Sequence, residues 1–235
     1  MSSELRFEAG GRSAALKLNV SARARAMRLR VDRRTGEIVL TIPRRASRRQ
    51  ALEWAAGHRE WIEKQLLEVQ AAERIVPGAT VPLQGEPHRV EWVPERGRAV
   101  VARDGRLLVG GPPENLEARV VRWLKREALD LLSRETREFA AMAGVTVSRV
   151  GIGDPVSRWG SCSASGAIRY SWRLVLAPDF VRRATVAHEV AHRVHMHHGP
   201  DFHAVVERLA GGDARRARLW LRSRGAGLHR IAPRG

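Results

Sequence analysis

A single cysteine, Cys162, is all the thiol chemistry that this 235-residue chain holds. One thiol excludes an intramolecular disulfide framework and a cysteine-rich zinc ribbon, and it fits a reducing compartment. No apolar run approaches the roughly 20 residues that span a bilayer as a helix, and Met1 to Gly11 holds no hydrophobic core of a secretion signal. The expectation is a soluble cytoplasmic protein with no membrane partner. Lysine is scarce as well: 39 of the 42 basic side chains are Arg, leaving Lys17, Lys64 and Lys125. A coding bias explains that skew more easily than a phosphate-binding surface does.

Hydrophobic residues make up 43% of the chain and fall in short periodic runs, which suits one or two domains with a real core and argues against disorder. The net charge of +17 is uneven. Residues 1–50 carry 13 basic and 4 acidic side chains, residues 51–150 carry 15 of each, and residues 151–235 carry 14 and 6. Arg23, Arg25, Arg28 and Arg30 alternate along one expected strand as a basic stripe. Nucleic-acid association through an Arg-rich surface is therefore one expectation about partners.

Alternating patterns predict strands over Ala14 to Val20, Ala26 to Val31 and Glu37 to Ile42, the last two joined by a turn around Thr35-Gly36. Ser47 and Gln50 form a capping-box pattern, after which Ala51, Trp54, Ala55, His58, Ile62, Leu66 and Val69 predict a helix to about Ala72. Short strands follow from Pro77 to Gly111. The turn Gly110-Gly111-Pro112-Pro113 is the best candidate boundary, separating a strand-rich region 1–111 from a region 112–235, with the packing of both as one unit as the alternative, and no internal repeat is visible. Leu116, Val120, Leu124, Ala128 and Leu131 then predict a long helix to about Ala143, stopped by Gly144. Thr146 to Ile152 reads as a strand. Ile168, Tyr170, Trp172, Leu174 and Leu176 alternate with Arg169, Ser171, Arg173 and Val175, predicting a further strand that pairs as a hairpin across Ser165-Gly166. Pro178 opens a helix with the stripe Phe180, Ala184, Ala187, Ala191 and Val194, and Pro200 opens another through Phe202, Val205, Val206 and Leu209. The fold class is α+β.

Six of the nine histidines fall between His188 and His203, and the first two frame the HExxH run His188-Glu189-Val190-Ala191-His192. Residues four apart share one helix face, so both imidazoles can reach one ion at about 2.0–2.1 Å. Glu189, about a quarter-turn round, stands beside such an ion as general base for an activated water. Structural histidines satisfied by hydrogen bonds are the alternative. Catalytic zinc uses three protein ligands, and His195 lies about 10.5 Å from His188 along a helix axis, too far for both to bind one ion. The third ligand must leave the helix. His198, beside the breaker Gly199-Pro200, is the first choice and His203 the second, with Glu207 as a supporting carboxylate. Zn2+ is the favoured ion because imidazoles suit it. His195 and His197 read as exposed or supporting residues, and His58, His88 and His229 carry no signal.

Taken together, Arg158-Trp159-Gly160-Ser161-Cys162-Ser163, the run Trp172 to Pro178, the HExxH, and His198 four residues before Phe202 resemble the YgjP-like predicted metal-dependent hydrolases, relatives of the SprT-like and WLM zinc proteases. The resemblance is specific over residues 155–210. Family members read Asn-His-Ser and Phe-Trp where this chain has His197-His198-Gly199 and Phe202-His203. The resemblance implies a minimal zincin-like metallopeptidase domain after the strand-rich region, with zinc on His188, His192 and His198, Glu189 as catalytic base, and a peptide or protein substrate. Such a site receives an extended peptide along an edge strand, here the strand before the active helix, although the apolar face of that strand reads more readily as ordinary core packing. Relatives of this kind act on DNA-bound proteins, a role that a basic surface would suit. Arg158 and Tyr170 are candidates for stabilising an oxyanion, and Cys162 reads as a small buried residue. Two other functions share these features: a basic nucleic-acid-associated protein with a structural metal, and a metal-dependent hydrolase of non-peptide substrates.

Overall fold

The computed structural model describes residues 5–9, 12–32, 36–68 and 73–232. Thr35 of the expected turn, and Val69 and Ala72 at the end of the first expected helix, lie outside them. The chain divides into two compact units, residues 1–72 with 233–235, and residues 73–232.

In the first unit, strands β1 (Leu5–Ala9), β2 (Arg12–Ser21), β3 (Arg28–Val31) and β4 (Ile38–Pro43) form a sheet of order β1-β2-β4-β3. Two antiparallel hairpins are joined by a parallel pair, β2 with β4. Only Arg28 and Arg30 of the expected basic stripe sit on a strand, because Arg23 and Arg25 precede β3 in a turn. Helices α1 (Arg48–Ala56) and α2 (Arg59–Glu68) follow, and Ser47 and Gln50 make both bonds of the capping box. One continuous helix was expected here, but the chain breaks at Gly57, a residue that weakens a helix interior by about 1 kcal/mol. Ala51, Ala55, Ile62 and Leu66 then share a core with Ile38, Leu40 and Ile42.

The second unit begins with β5 (Thr80–Leu83), β6 (Glu86–Trp92), β7 (Val100–Arg103) and β8 (Arg106–Val109), in the order β5-β6-β8-β7. Its pairing repeats that of the first sheet: two antiparallel hairpins, with β6 parallel to β8. The recurrence is one of topology, which depends on alternation and turns and leaves no repeat in the residues themselves. Helix α3 (Leu116–Ala143) ends at Gly144, whose φ of 66° is the left-handed cap expected of glycine. Val109 and Leu116 share one core, and the turn Gly110-Gly111-Pro112-Pro113 lies inside this compact unit.

Strands β9 (Arg149–Gly153), β10 (Gly160–Cys162) and β11 (Ala167–Ser171) make the third sheet, in the order β10-β11-β9. The hairpin across Ser165-Gly166 is present. The strand expected to reach Leu176 stops at Ser171, and Trp172–Leu176 forms a 3-10 turn. Tertiary structure overrides the alternation there, since all five residues of the turn are buried and Arg173 occupies an interior site of its own. Helices α4 (Asp179–Ala191), α5 (Pro200–Ala210) and α6 (Ala214–Leu228) complete the unit. The last was not anticipated, because its buried side is made of Ala214, Ala217, Gly225 and Leu228 among many arginines. The two ends of the unit meet where Glu73 bridges Ile231. The architecture is mixed α+β, and among the described residues no helix is long and apolar enough to cross a membrane.

Candidate active site

Helix α4 is locked to α3 before it delivers any chemistry. Arg182, 2% exposed, donates through Nε to both carboxylate oxygens of Glu135 at 3.1 and 3.0 Å and through Nη2 to Oε1 at 2.8 Å. Its Nη1 reaches Asp179 at 2.8 Å. A planar fork held by two carboxylates fixes the helix in rotation as well as position. The last helical turn carries His188 and Glu189, and α4 ends at Ala191 with His192 as its cap. Val194, expected to extend the apolar stripe, lies beyond the helix and is exposed.

From His192 the chain turns and runs through an extended Gly199 into Pro200, which starts α5. That return brings His198 back over the end of α4. The Nε2 atoms of His188 and His198 lie 3.3 Å apart, and the rings of His188, His192 and His198 have centroids 4.7–5.2 Å from one another. Fully buried Phe202 packs against all three rings, with centroids at 4.6–4.9 Å. Each histidine can offer one ring nitrogen such that the three lie within 4.8 Å of one another, and among the described residues no other trio of His, Cys, Asp or Glu meets in this way. His203 is not in the group; its ring centroid lies 6.5 Å from that of His198.

The donors suit a divalent cation. Four-coordinate bonds of about 2.0–2.1 Å place neighbouring ligand atoms about 3.3–3.4 Å apart, the separation already seen between the two Nε2 atoms. Burial, reinforced by the positive charges His192 and His198 would carry, pushes the imidazolium pKa of His188 down to about 4, and burial lowers that of His192 too. Neutral rings with free lone pairs are what a metal requires. Nδ1 of His192 faces the His195 carbonyl at 3.3 Å, an arrangement in which an Nδ1–H donates to that oxygen and Nε2 is left to bind.

Glu189 is 5% exposed, and burial raises its carboxyl to about 7 against the opposing pull of Arg158. It lies against the backbone of β10. A Cβ on Gly160 would come within 2.5 Å of Glu189 Oε1, so only glycine leaves the carboxylate its place. A pocket of about 290 Å³ opens beside it, lined among others by Arg158, Trp159, His188, Arg218 and Leu221. Trp159 is backed by His229, with ring centroids 5.0 Å apart, and Gly225 of α6 makes room for it.

The family model for the YgjP-like metallopeptidase domain matches residues 25–224. The chain belongs to that family. No match is found among curated proteins or among solved structures. Membership in the YgjP-like family implies a hydrolase that uses a divalent metal, and the histidine trio is close enough to bind one.

Two expectations about this YgjP-like site change. Tyr170 is fully buried and its hydroxyl lies 3.0 Å from Thr136 Oγ1; desolvation raises its pKa, and it does not line the pocket, so it is a core residue. Strand β11 is central in its sheet and offers no free edge, whereas β10 is an edge strand that touches Glu189. Cys162 is half-buried in β10, where burial raises its thiol pKa, and it is not part of the histidine group. Arg158 does line the pocket. Gly160 stood in the family run without a role, and Arg218 lies on the helix that the sequence pattern did not reveal.

Proposed function

We propose that this chain is a zinc-dependent peptidase in which His188, His192 and His198 hold the ion and Glu189 is the general base. The observation that supports this most strongly is the convergence of three imidazoles beside a buried carboxylate at the end of α4. Zinc bound there would supply Lewis acidity, polarising a carbonyl oxygen and making water a stronger acid. Glu189 handles the proton: it accepts the one released as water adds to the amide carbon and delivers it to the amine nitrogen as the C–N bond breaks. Arg158 and Arg218 line the same pocket and suit the developing oxyanion or an acidic substrate side chain. The outer edge of β10 is the natural place for an extended peptide to add as a further strand.

Metal analysis of the purified chain tests the ligand set, with one zinc per chain expected. His198→Ala should weaken zinc binding at least 100-fold, beyond the roughly 10- to 100-fold that even supporting residues of zinc sites command, while His203→Ala changes it less than about threefold. Zinc retained in His198→Ala and lost in His203→Ala would reverse the assignment, and wild-type protein that binds no metal would remove the basis of the proposal. Gly160→Ala should keep its zinc and lose about 100-fold in peptide hydrolysis, since displacing a reacting group by about 1 Å costs that much. Activity unchanged in Gly160→Ala would show that the position of Glu189 does not matter to the reaction.

A further inference from the structure

A second cavity, of about 540 Å³, opens between β7 and the first turns of α3, and it shares no lining residue with the pocket at Glu189. Arg98, Arg119, Arg122 and Arg126 line it with no acidic residue among them, over an apolar floor that includes Val100 and Trp123. Among the described residues none of the four arginines is in an ion pair, in contrast to Arg173 and Arg182. Arg119, Arg122 and Arg126 repeat at helical spacing on one face of α3, where like charges repel. Such an arrangement is stable at a cost that a bound anion would remove.

Arg119 is the most telling of the four. It is 8% exposed, donates from Nη2 to the Pro112 carbonyl at 2.6 Å, and keeps a buried Nε with no partner. Gly111, at φ +81°, approaches so closely that a Cβ there would lie 3.3 Å from the guanidinium carbon. The backbone is shaped to hold a guanidinium in place at the cavity wall.

We propose that this cavity binds a small organic anion carrying two adjacent phosphates. Guanidinium forks pair with phosphate oxygens in bidentate fashion, and four of them call for more negative charge than one carboxylate brings. The volume falls in the range of small-molecule sites, and the apolar floor accepts an uncharged portion. A nucleic-acid strand fits less well. Residues 51–150 balance 15 basic against 15 acidic side chains, so the cavity lacks the extended positive field that a long polyanion engages.

Calorimetric titration of the full chain with inorganic pyrophosphate, in the presence of a chelator, tests the site. One saturable event is expected, weakened at least tenfold in the double variant Arg122→Ala/Arg126→Ala, whose side chains are both exposed, and unchanged in His188→Ala. A thermal midpoint within about 2 °C of wild type would certify that the double variant is folded. Absence of saturable binding, or binding that the double variant leaves intact, would overturn the proposal. A short single-stranded RNA that binds more tightly than pyrophosphate and loses its affinity in the same double variant would overturn it in favour of a nucleic-acid contact.

Discussion

Glu189→Gln is expected to leave zinc content unchanged and to lower peptide hydrolysis by a factor of about 10² to 10⁴, the contribution of a positioned general base. Glutamine keeps the shape of the side chain in the niche against Gly160, and its amide cannot accept a proton. The carboxylate lies beside the imidazole trio and outside it, so the ligand count is untouched. Neutralising a buried carboxyl removes a desolvation cost, and the variant should therefore fold at least as well as wild type. Zinc quantification alongside kcat on a quenched fluorescent peptide separates the two effects. Zinc lost together with activity would make Glu189 a ligand, and activity within twofold of wild type would deny it any role as base.

Arg173→Ala is expected to lower the stability of the folded chain by about 3–5 kcal/mol, the range found when one partner of a buried charge pair is removed. Arg173 is fully buried; its Nε and Nη2 donate to Asp154 at 2.8 and 3.3 Å, and Nη1 and Nη2 donate to the carbonyls of Leu228, Ile231 and Ala232 at 2.6–3.3 Å. Truncation leaves a 7%-exposed carboxylate and three carbonyls without this donor. An exposed pair such as Arg49 with Glu53 contributes little by comparison, because water solvates both groups whether or not they meet. The thermal midpoint should fall by about 10 °C, read by circular dichroism at two salt concentrations. A small loss, or one that high salt reproduces in wild type, would show that the network is not what ties the end of α6 and the residues after it to the turn before α4.

Much of the fold was legible because its signals are local. The capping box at Ser47, the stop at Gly144, the start at Pro200 and the HExxH spacing each involve residues a few positions apart, whose geometry follows from the period of one helix or one turn. Alternation failed at Trp172–Leu176 because a polar residue can be buried when distant groups satisfy it, and those groups for Arg173 lie 19 to 59 positions away. The oxyanion role expected of Tyr170 failed for a related reason: an outlying hydroxyl, that of Thr136 on α3, occupies its donor in the core. Helix α6 was missed because glycine and alanine can line a tight interface without producing an apolar stripe.

The sequence by itself determined the motif: two histidines and a glutamate at helical spacing, and a short list of residues that could complete them. The spacing ranked His198 ahead of His203 without settling the choice, since one precedes and the other follows the Gly199-Pro200 break, whose direction is set elsewhere. Only the tertiary structure decided which imidazole returns to the end of α4, through the buried packing of Phe202 against all three rings. It alone also put Gly160 against Glu189 and collected four arginines around an apolar cavity. Covalent neighbours fix a residue's place along a helix; which surfaces of different elements come together is fixed by the burial of side chains far apart in the chain.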